Sequence, residues 1–438
     1  MAEILIGKIQ SIISSLSIKH RFNRGVLWNT GSLATLSVCG IIINIVIMAC
    51  RGPQALGIFN QVFAFYIVIS QIAVGGLQFS VLKHCSYEQD NLAECAAIAS
   101  SALMLVAFAG IVTCAILFGL RDVIGRTLDS PSVALGLAFA IPGLAFYALN
   151  KVLLMVLNGL RNMRAFAVFQ ALRYVLILAG VVSIMLLGYP GSHLPLSLTI
   201  AEMALFVALM LYINLLLFRI RFSFTPEIRN WFRRHVSFGG RGFLRGVLIE
   251  MNTRVDVLML GYFMSDTVVG IYSFASTFAE GFAQLSTVIR QNVDPIVGEC
   301  FAEDNSEKIK EIAKKVRRTF YPIMALIGCA LVAAFPILIW FVASNGENWQ
   351  SWGVFAILVS GIVLASGYRP FIGMLMQGGR PGTHTILIAG SVIGNVILNA
   401  CLIPVLGIYG AAMATACVYM LEVVALVVVV RKLFGIKL

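Results

Sequence analysis

GIFNQVFAFYIVISQIAVGGLQ at Gly57–Gln78 and GIYSFASTFAEGFAQLSTVIRQ at Gly270–Gln291 are two versions of one segment, 213 positions apart. Gly57, Ile58, Phe65, Gln71 and Gln78 recur in order as Gly270, Ile271, Phe278, Gln284 and Gln291. A second set, Gly159, Arg161, Ile184, Leu187, Gly188 and Gly191, recurs 219 positions on as Gly378, Arg380, Ile403, Leu406, Gly407 and Gly410. Matched Ile or Leu means little in a chain this apolar, but matched Gln, Arg and Gly in a kept order mean duplication. The change of offset requires only insertions in loops or at helix ends. Two similar halves in a membrane chain imply a transporter, because they can rock about a site between them.

Composition places the repeat in a bilayer. Of 438 residues, 59% are hydrophobic and only 12% charged, and the mean hydropathy is +0.92. A soluble core cannot use so much apolar surface. Runs long enough to span recur at about 26–50, 55–82, 95–119, 132–157, 165–188, 194–218, 242–263, 267–290, 319–342, 350–376, 382–405 and 407–430. The prediction is an all-α polytopic membrane protein of twelve transmembrane helices, in two six-helix bundles around a central cavity. Residues 1–218 form the first half, 219–241 a basic cytoplasmic connector and 242–438 the second half. Spans 2 and 8 run in the same direction, so the repeats are parallel, related by an axis along the membrane normal.

The net charge of +12 follows the membrane rather than a nucleic acid. Lys and Arg gather at Lys8–Arg24, Lys151–Arg164, Arg219–Arg245, Lys308–Arg318 and Arg431–Lys437, whereas the opposite loops hold only Arg51, Arg121 and Arg126. The positive-inside rule then puts both termini in the cytoplasm, and Arg161 and Arg380 read as anchors at inner span ends. Glu3 and Lys8 argue against a cleavable signal. Leu5, Ile9, Ile12, Ile13 and Leu16 share one helical face, which predicts an interfacial helix. The connector is expected to be partly amphipathic, with Trp231 and Phe232 near the headgroups. The nine cysteines show no CxxC and no metal-ligand spacing, Gly239-Gly240 and Gly378-Gly379 lack the phosphate-loop pattern, and the His residues are scattered. Neither a catalytic residue nor a metal or other cofactor is predicted.

The polar residues inside the spans are the candidates for function. Ser273, Thr277, Glu280, Gln284, Thr287 and Gln291 on span 8 are spaced four, three, four, three and four apart, which places them on one helix face. In hydrocarbon that face must look at protein or at water. Asn60, Gln71 and Gln78 repeat it weakly on span 2. Interhelical hydrogen bonding alone could account for such a stripe, but a Glu in its middle favours a water-filled cavity lined by both halves. Span 7, GFLRGVLIEMNTRVDVLMLGYFM, carries Glu250 and Arg254 four apart, able to pair on one face, and Asp256 on another. Asp256, Glu280 and Glu250 are candidates for ion coupling or gating. Arg173 in span 5, Arg254, and Arg369 in span 10 are candidates for an anionic substrate, since Arg grips phosphate bidentately. A local ion pair or snorkelling is the bland alternative for each. Gln71, Gln78, Gln284 and Gln291 suit sugar hydroxyls. Glu202 in span 6, Glu422 in span 12 and Lys151 at the inner end of span 4 complete the intramembrane charges.

These residues carry a family resemblance. Arg51-Gly52-Pro53-Gln54-Ala55-Leu56-Gly57-Ile58-Phe59 resembles the turn between the first two spans of Wzx-type polysaccharide exporters. Asp256–Gly261 followed by Val269-Gly270-Ile271-Tyr272 resembles their second-half segment. Asp294-Pro295 is similar to their close of span 8, and Leu157–Arg161 to their exit from span 4. The resemblance covers nearly the whole chain and is to the multidrug/oligosaccharidyl-lipid/polysaccharide exporter superfamily. It implies a V-shaped cavity with alternating access in the bacterial inner membrane. The implied substrate is a polyprenyl-diphosphate-linked oligosaccharide, flipped outward at the expense of a proton or sodium gradient in which Asp256 takes part. Membrane lipids and other polysaccharide-assembly proteins are the implied partners. Competing readings are a multidrug organic-cation antiporter, a peptidoglycan-precursor flippase and a membrane glycan polymerase or ligase. The short outer loops disfavour the last.

Overall fold

The computed structural model describes residues 20–220, 222, 225–342 and 349–438. The predicted interfacial helix of residues 5–16 lies outside the described residues. Among those described there is no strand. The elements are α1 (His20–Val74), α2 (Leu77–Tyr87), α3 (Leu92–Thr127), α4 (Pro131–Gly159), α5 (Met163–Leu186) and α6 (Leu196–Leu216). They continue as α7 (Pro226–Phe263), α8 (Asp266–Ala302), α9 (Ser306–Val342), α10 (Gln350–Ser366), α11 (Met374–Gln377), α12 (Pro381–Leu406) and α13 (Ile408–Phe434).

α1 is two spans. Gly52 breaks it with φ 78°, where a Cβ would be strained, and Pro53 follows without an N–H to offer. Asn60 Nδ2 donates to Asn44 Oδ1 at 3.0 Å, sixteen residues back. Sixteen residues of straight helix would separate them by about 24 Å, so the two arms fold against each other. The second half repeats the hairpin at the same separation, where the Tyr272 hydroxyl on α8 donates to Asp256 on α7. α10 and α11 make one span, bent by 58°, with a short turn at Arg369–Phe371 in the bend. With α1 counted twice, α2 taken as the end of the second span, α10–α11 once and the polar α7 and α8 included, the helices are compatible with the twelve predicted crossings. The chain is a multi-pass membrane protein.

The duplicated glycines meet at the crossing of the two halves. A β-carbon on Gly57 would lie 1.8 Å from the Asp266 carbonyl oxygen, and one on Gly270 would lie 1.8 Å from the Pro53 carbonyl oxygen. Residues 53 and 266 are themselves one repeat apart. The crossing therefore obeys the repeat on both sides, and the pseudo-two-fold axis passes through it. The Asp266 carboxylate adds a polar tie, accepting from Gln61 Nε2 and Ser130 Oγ, each at 2.7 Å.

Two sequence expectations are corrected. The connector is not a separate interfacial piece: Thr225 caps the helix, Pro226 opens it, and α7 then runs unbroken through residue 242 into span 7. Trp231 is buried within the protein rather than turned outward, because its indole N–H donates to Glu94 Oε1 at 2.6 Å. Nor does Asp294-Pro295 end span 8, since α8 continues through Pro295 to Ala302.

Candidate functional site

α7, α8, the α10–α11 bend and α13 surround a cavity of about 390 Å3. α7 contributes Glu250, Asn252, Arg254 and Asp256, and α8 contributes Tyr272, Glu280, Gln284, Thr287 and Arg290. Arg369 enters from the bend, and Thr415 and Tyr419 from α13. Of the sequence candidates, Glu250, Arg254, Asp256, Glu280, Gln284 and Arg369 share this space.

Arg254, Arg369, Glu280 and Asp256 each have a counter-charge or a donor. Arg254 Nη1 lies 3.6 Å from Glu280 Oε1, and its guanidinium stacks over Phe63 of the first half at 5.3 Å. Arg369 lies 4.0 Å from Glu422 and 4.3 Å from the Tyr419 ring centre. Glu422 also accepts from Asn252 Nδ2 at 3.1 Å. Asp256 accepts from the Tyr272 hydroxyl, from the Val257 N–H at 3.1 Å and from Thr415 Oγ1 at 3.5 Å. The expected Glu250–Arg254 pair on one face does not form. The two side chains turn to different partners, Arg254 to Glu280 and Glu250 to the first half.

The remaining candidates lie elsewhere. Arg173 is buried beside Glu202, with Nε 2.8 Å from its carboxylate and its guanidinium 4.4 Å from the Tyr147 ring centre. Asn150 Nδ2 donates to the same carboxylate at 2.7 Å. Gln71 and Gln78 are buried rather than cavity-facing. Gln78 Nε2 donates to Gln71 Oε1 at 3.3 Å, and Gln71 Nε2 donates to Glu250 Oε1 at 2.8 Å. Gln291 is not among the lining residues of the cavity. The stripe reaches the cavity only in part: Ser273 is buried outside it, and Thr277 donates back to its own helix at the Ser273 carbonyl.

The repeat also relates residues that the sequence reading left unmatched. Asn150 and Glu202 correspond, at offsets of 219 and 220, to Arg369 and Glu422. Each pair touches, Asn150 with Glu202 and Arg369 with Glu422. The known offset of 219 takes Asn150 to Arg369 but Glu202 to Leu421, so it misses the second match by one residue. Tyr272, Thr415 and Tyr419 carried no such signal.

At the membrane edge, α7 docks on the first half through His235, which is fully buried. Its Nε2 lies 3.1 Å from the Ile98 carbonyl and its Nδ1 2.8 Å from Ser80 Oγ. The carbonyl can only accept, so Nε2 carries the proton and Nδ1 accepts from Ser80. Burial pushes the imidazole down to about 4.

Comparison with known proteins follows the same lines. A family model described as "Polysaccharide biosynthesis protein" matches residues 22–297, more than half of the chain. The chain belongs to the polysaccharide biosynthesis protein family. It is 24% identical over 396 residues to "Probable flippase AglR" of Haloferax volcanii, covering 88% of this chain and 78% of that one. It is 27% identical over 167 residues to "Probable low-salt glycan biosynthesis flippase Agl15" of the same organism, covering 37% and 34%. Among solved structures it is similar to an inward-facing multidrug resistance MATE family transporter of the MOP superfamily, with TM-score 0.77 and 15% identity over 92% of this chain and 94% of that one. It is also similar to "Lipid II flippase MurJ, inward closed conformation", with TM-score 0.75 and 15% identity over 93% and 87%. The structural likenesses establish the fold. The exporter resemblance of residues 51–59 and 256–272 is borne out at the level of the family.

Proposed function

We propose that this member of the family is a flippase, not an enzyme. It moves a polyprenyl-diphosphate-linked oligosaccharide from the cytoplasmic to the outer leaflet of the cytoplasmic membrane, by alternating access driven by a proton or sodium gradient. The observation that carries the reading is the cavity, where Arg254, Arg290 and Arg369 converge within a bilayer-spanning bundle. A bare ion meets a Born cost of order 20 kcal/mol in a medium of ε ≈ 4, so a diphosphate needs such a polar, cationic lining to cross. Both curated relatives are named as probable flippases, and the name of Agl15 supports a glycan as cargo. The positive-inside pattern sets the orientation, with both termini cytoplasmic and the division of halves at 218 and 242.

In that orientation the Gly57–Gly270 crossing and the Asp266 ties seal the outer end, so the cavity faces inward. Arg254–Glu280 at 3.6 Å and Arg369–Glu422 at 4.0 Å are loose enough for phosphate oxygens to displace the carboxylates. The freed Glu280 then takes a proton or sodium ion, which couples cargo to gradient. Asp256 at the α7–α8 hairpin senses the same ion, and Gln284 meets sugar hydroxyls. A cation antiporter would need free carboxylates, but Glu250, Asp256 and Glu280 are already engaged by Gln71 and Lys151, by Tyr272, and by Arg254. The test is reconstitution in liposomes with a fluorescent lipid-linked oligosaccharide. Gradient-dependent loss of inner-leaflet label supports the reading. No translocation, with surface glycan unchanged in a deletion strain, ends it.

A further inference from the structure

One corner of the first half holds a carboxylate that belongs to the second. Glu250 on α7 accepts from Gln71 Nε2 at 2.8 Å and lies 3.8 Å from Lys151 Nζ. Lys151 has no carboxylate of its own half to turn to, because Glu202 is held by Arg173 at 2.8 Å and Asn150 at 2.7 Å. Lys151 Nζ and Arg173 Cζ both lie over the Tyr147 ring, 4.8 Å and 4.4 Å from its centre. Neither Lys151 Nζ nor Arg173 Nη2 has a hydrogen-bond acceptor among the described residues. Arg173 and Glu202 cancel, and Glu250 alone balances Lys151. Glu250 also lines the main cavity, so the corner opens onto the path of the cargo.

Alternating access moves α7 against the first half and withdraws Glu250. Lys151 is then left with a largely buried, unmatched charge, which an arriving anion would neutralise. The resident group shows what the corner recognises: one carboxylate, met by the Gln71 amide donor and the Lys151 ammonium. We propose that Gln71 and Lys151, backed by Arg173, form a carboxylate subsite for an acidic sugar of the translocated glycan. Glu250 is the internal stand-in that fills the subsite when the sugar is absent. A diphosphate is the wrong ligand here, because a single lysine cannot balance its two or more charges, whereas the arginines of the main cavity can. The naming of a glycan rests on the flippase reading; the subsite itself is tested without transport.

The full chain is purified in detergent, and binding of D-glucuronate, D-glucose and pyrophosphate is measured by calorimetry for wild type, E250Q and E250Q/K151M. Removing a tethered competitor should tighten glucuronate binding on the order of tenfold or more in E250Q. Glucose should not bind, and E250Q/K151M should lose the gain. If E250Q does not yield monodisperse protein, E250D, which withdraws the carboxylate by one methylene, carries the same comparison. Glucuronate binding that is equal in wild type and the Glu250 variant overturns the proposal. So does a gain for pyrophosphate larger than that for glucuronate, or a gain that survives loss of Lys151. A chain that binds glucuronate in this way but translocates no glycan refutes the flippase reading alone.

Discussion

Adding one carbon to Gly270 should pry the halves apart. The new β-carbon would sit 1.8 Å from the Pro53 carbonyl oxygen, and ordinary contact begins at 3.4 Å, so α8 must shift by about 1.6 Å. The obstacle is backbone and cannot rotate away as a side chain would. Overpacking of this kind costs about 1–3 kcal/mol. A penalty of about 2 kcal/mol confined to the sealed state raises the parted population on the order of 30-fold. G57A meets the Asp266 carbonyl at the same 1.8 Å and should behave alike, whereas G240A has nothing within 4 Å and serves as the control. Spin labels at Tyr189 and Tyr262, 49% and 59% exposed on opposite halves, report the separation by pulsed electron resonance in a cysteine-free background. Both variants should add a longer distance absent from wild type and the control. Unchanged distances together with an unchanged melting temperature in G57A and G270A would refute the close crossing.

His235 predicts a pH dependence. Its imidazole titrates near 6.5 when unfolded and near 4 when folded, so between those values the unfolded chain binds more protons. Stability is full above about 6.5 and falls as the pH drops toward 4, by at most roughly 3 kcal/mol. Melting curves in detergent should show the slope in wild type and a flatter one in H235Q. E280Q releases Arg254 from its partner, so pyrophosphate should bind about tenfold more tightly while glycan translocation loses its gradient dependence; unchanged coupling would remove Glu280 from the ion path. R173A leaves Glu202 buried and short of its cation, which costs about 3–5 kcal/mol, so the yield of folded protein should collapse. R369A likewise leaves Glu422, which is buried and otherwise held only by Asn252, short of its cation, so it should lose stability as well as cargo binding.

Periodicity and charge made the scaffold legible. The glycine and glutamine matches located the duplication, and the run lengths located the spans. Helix geometry told which residues share a face, but not what the face meets. Gln71 and Gln78 share a face as expected, yet that face is covered by α7 and ends on Glu250. Arg173 looked like a cargo ligand because its partner Glu202 is on another helix, and no spacing links the two. Glu250 and Arg254 satisfied the pairing rule within one helix, but residues of other helices offered each a better partner. Trp231 was misplaced for the same reason: Glu94, 137 positions earlier, draws it inward.

The glycine contact on the axis bears on how such a chain could diverge. In a dimer of identical halves, any residue on the axis meets its own copy, and every substitution is made twice at once. Fusion of the halves into one chain ended that constraint. Gly57 and Gly270 can now be changed singly, and each keeps a partner that is still glycine. The same freedom extends along the duplicated segment, where Ile67 in one half corresponds to Glu280 in the other. An apolar residue and an acid thus occupy related places in one molecule. Related positions can carry different chemistry in the two halves, a division of labour closed to a symmetric ancestor.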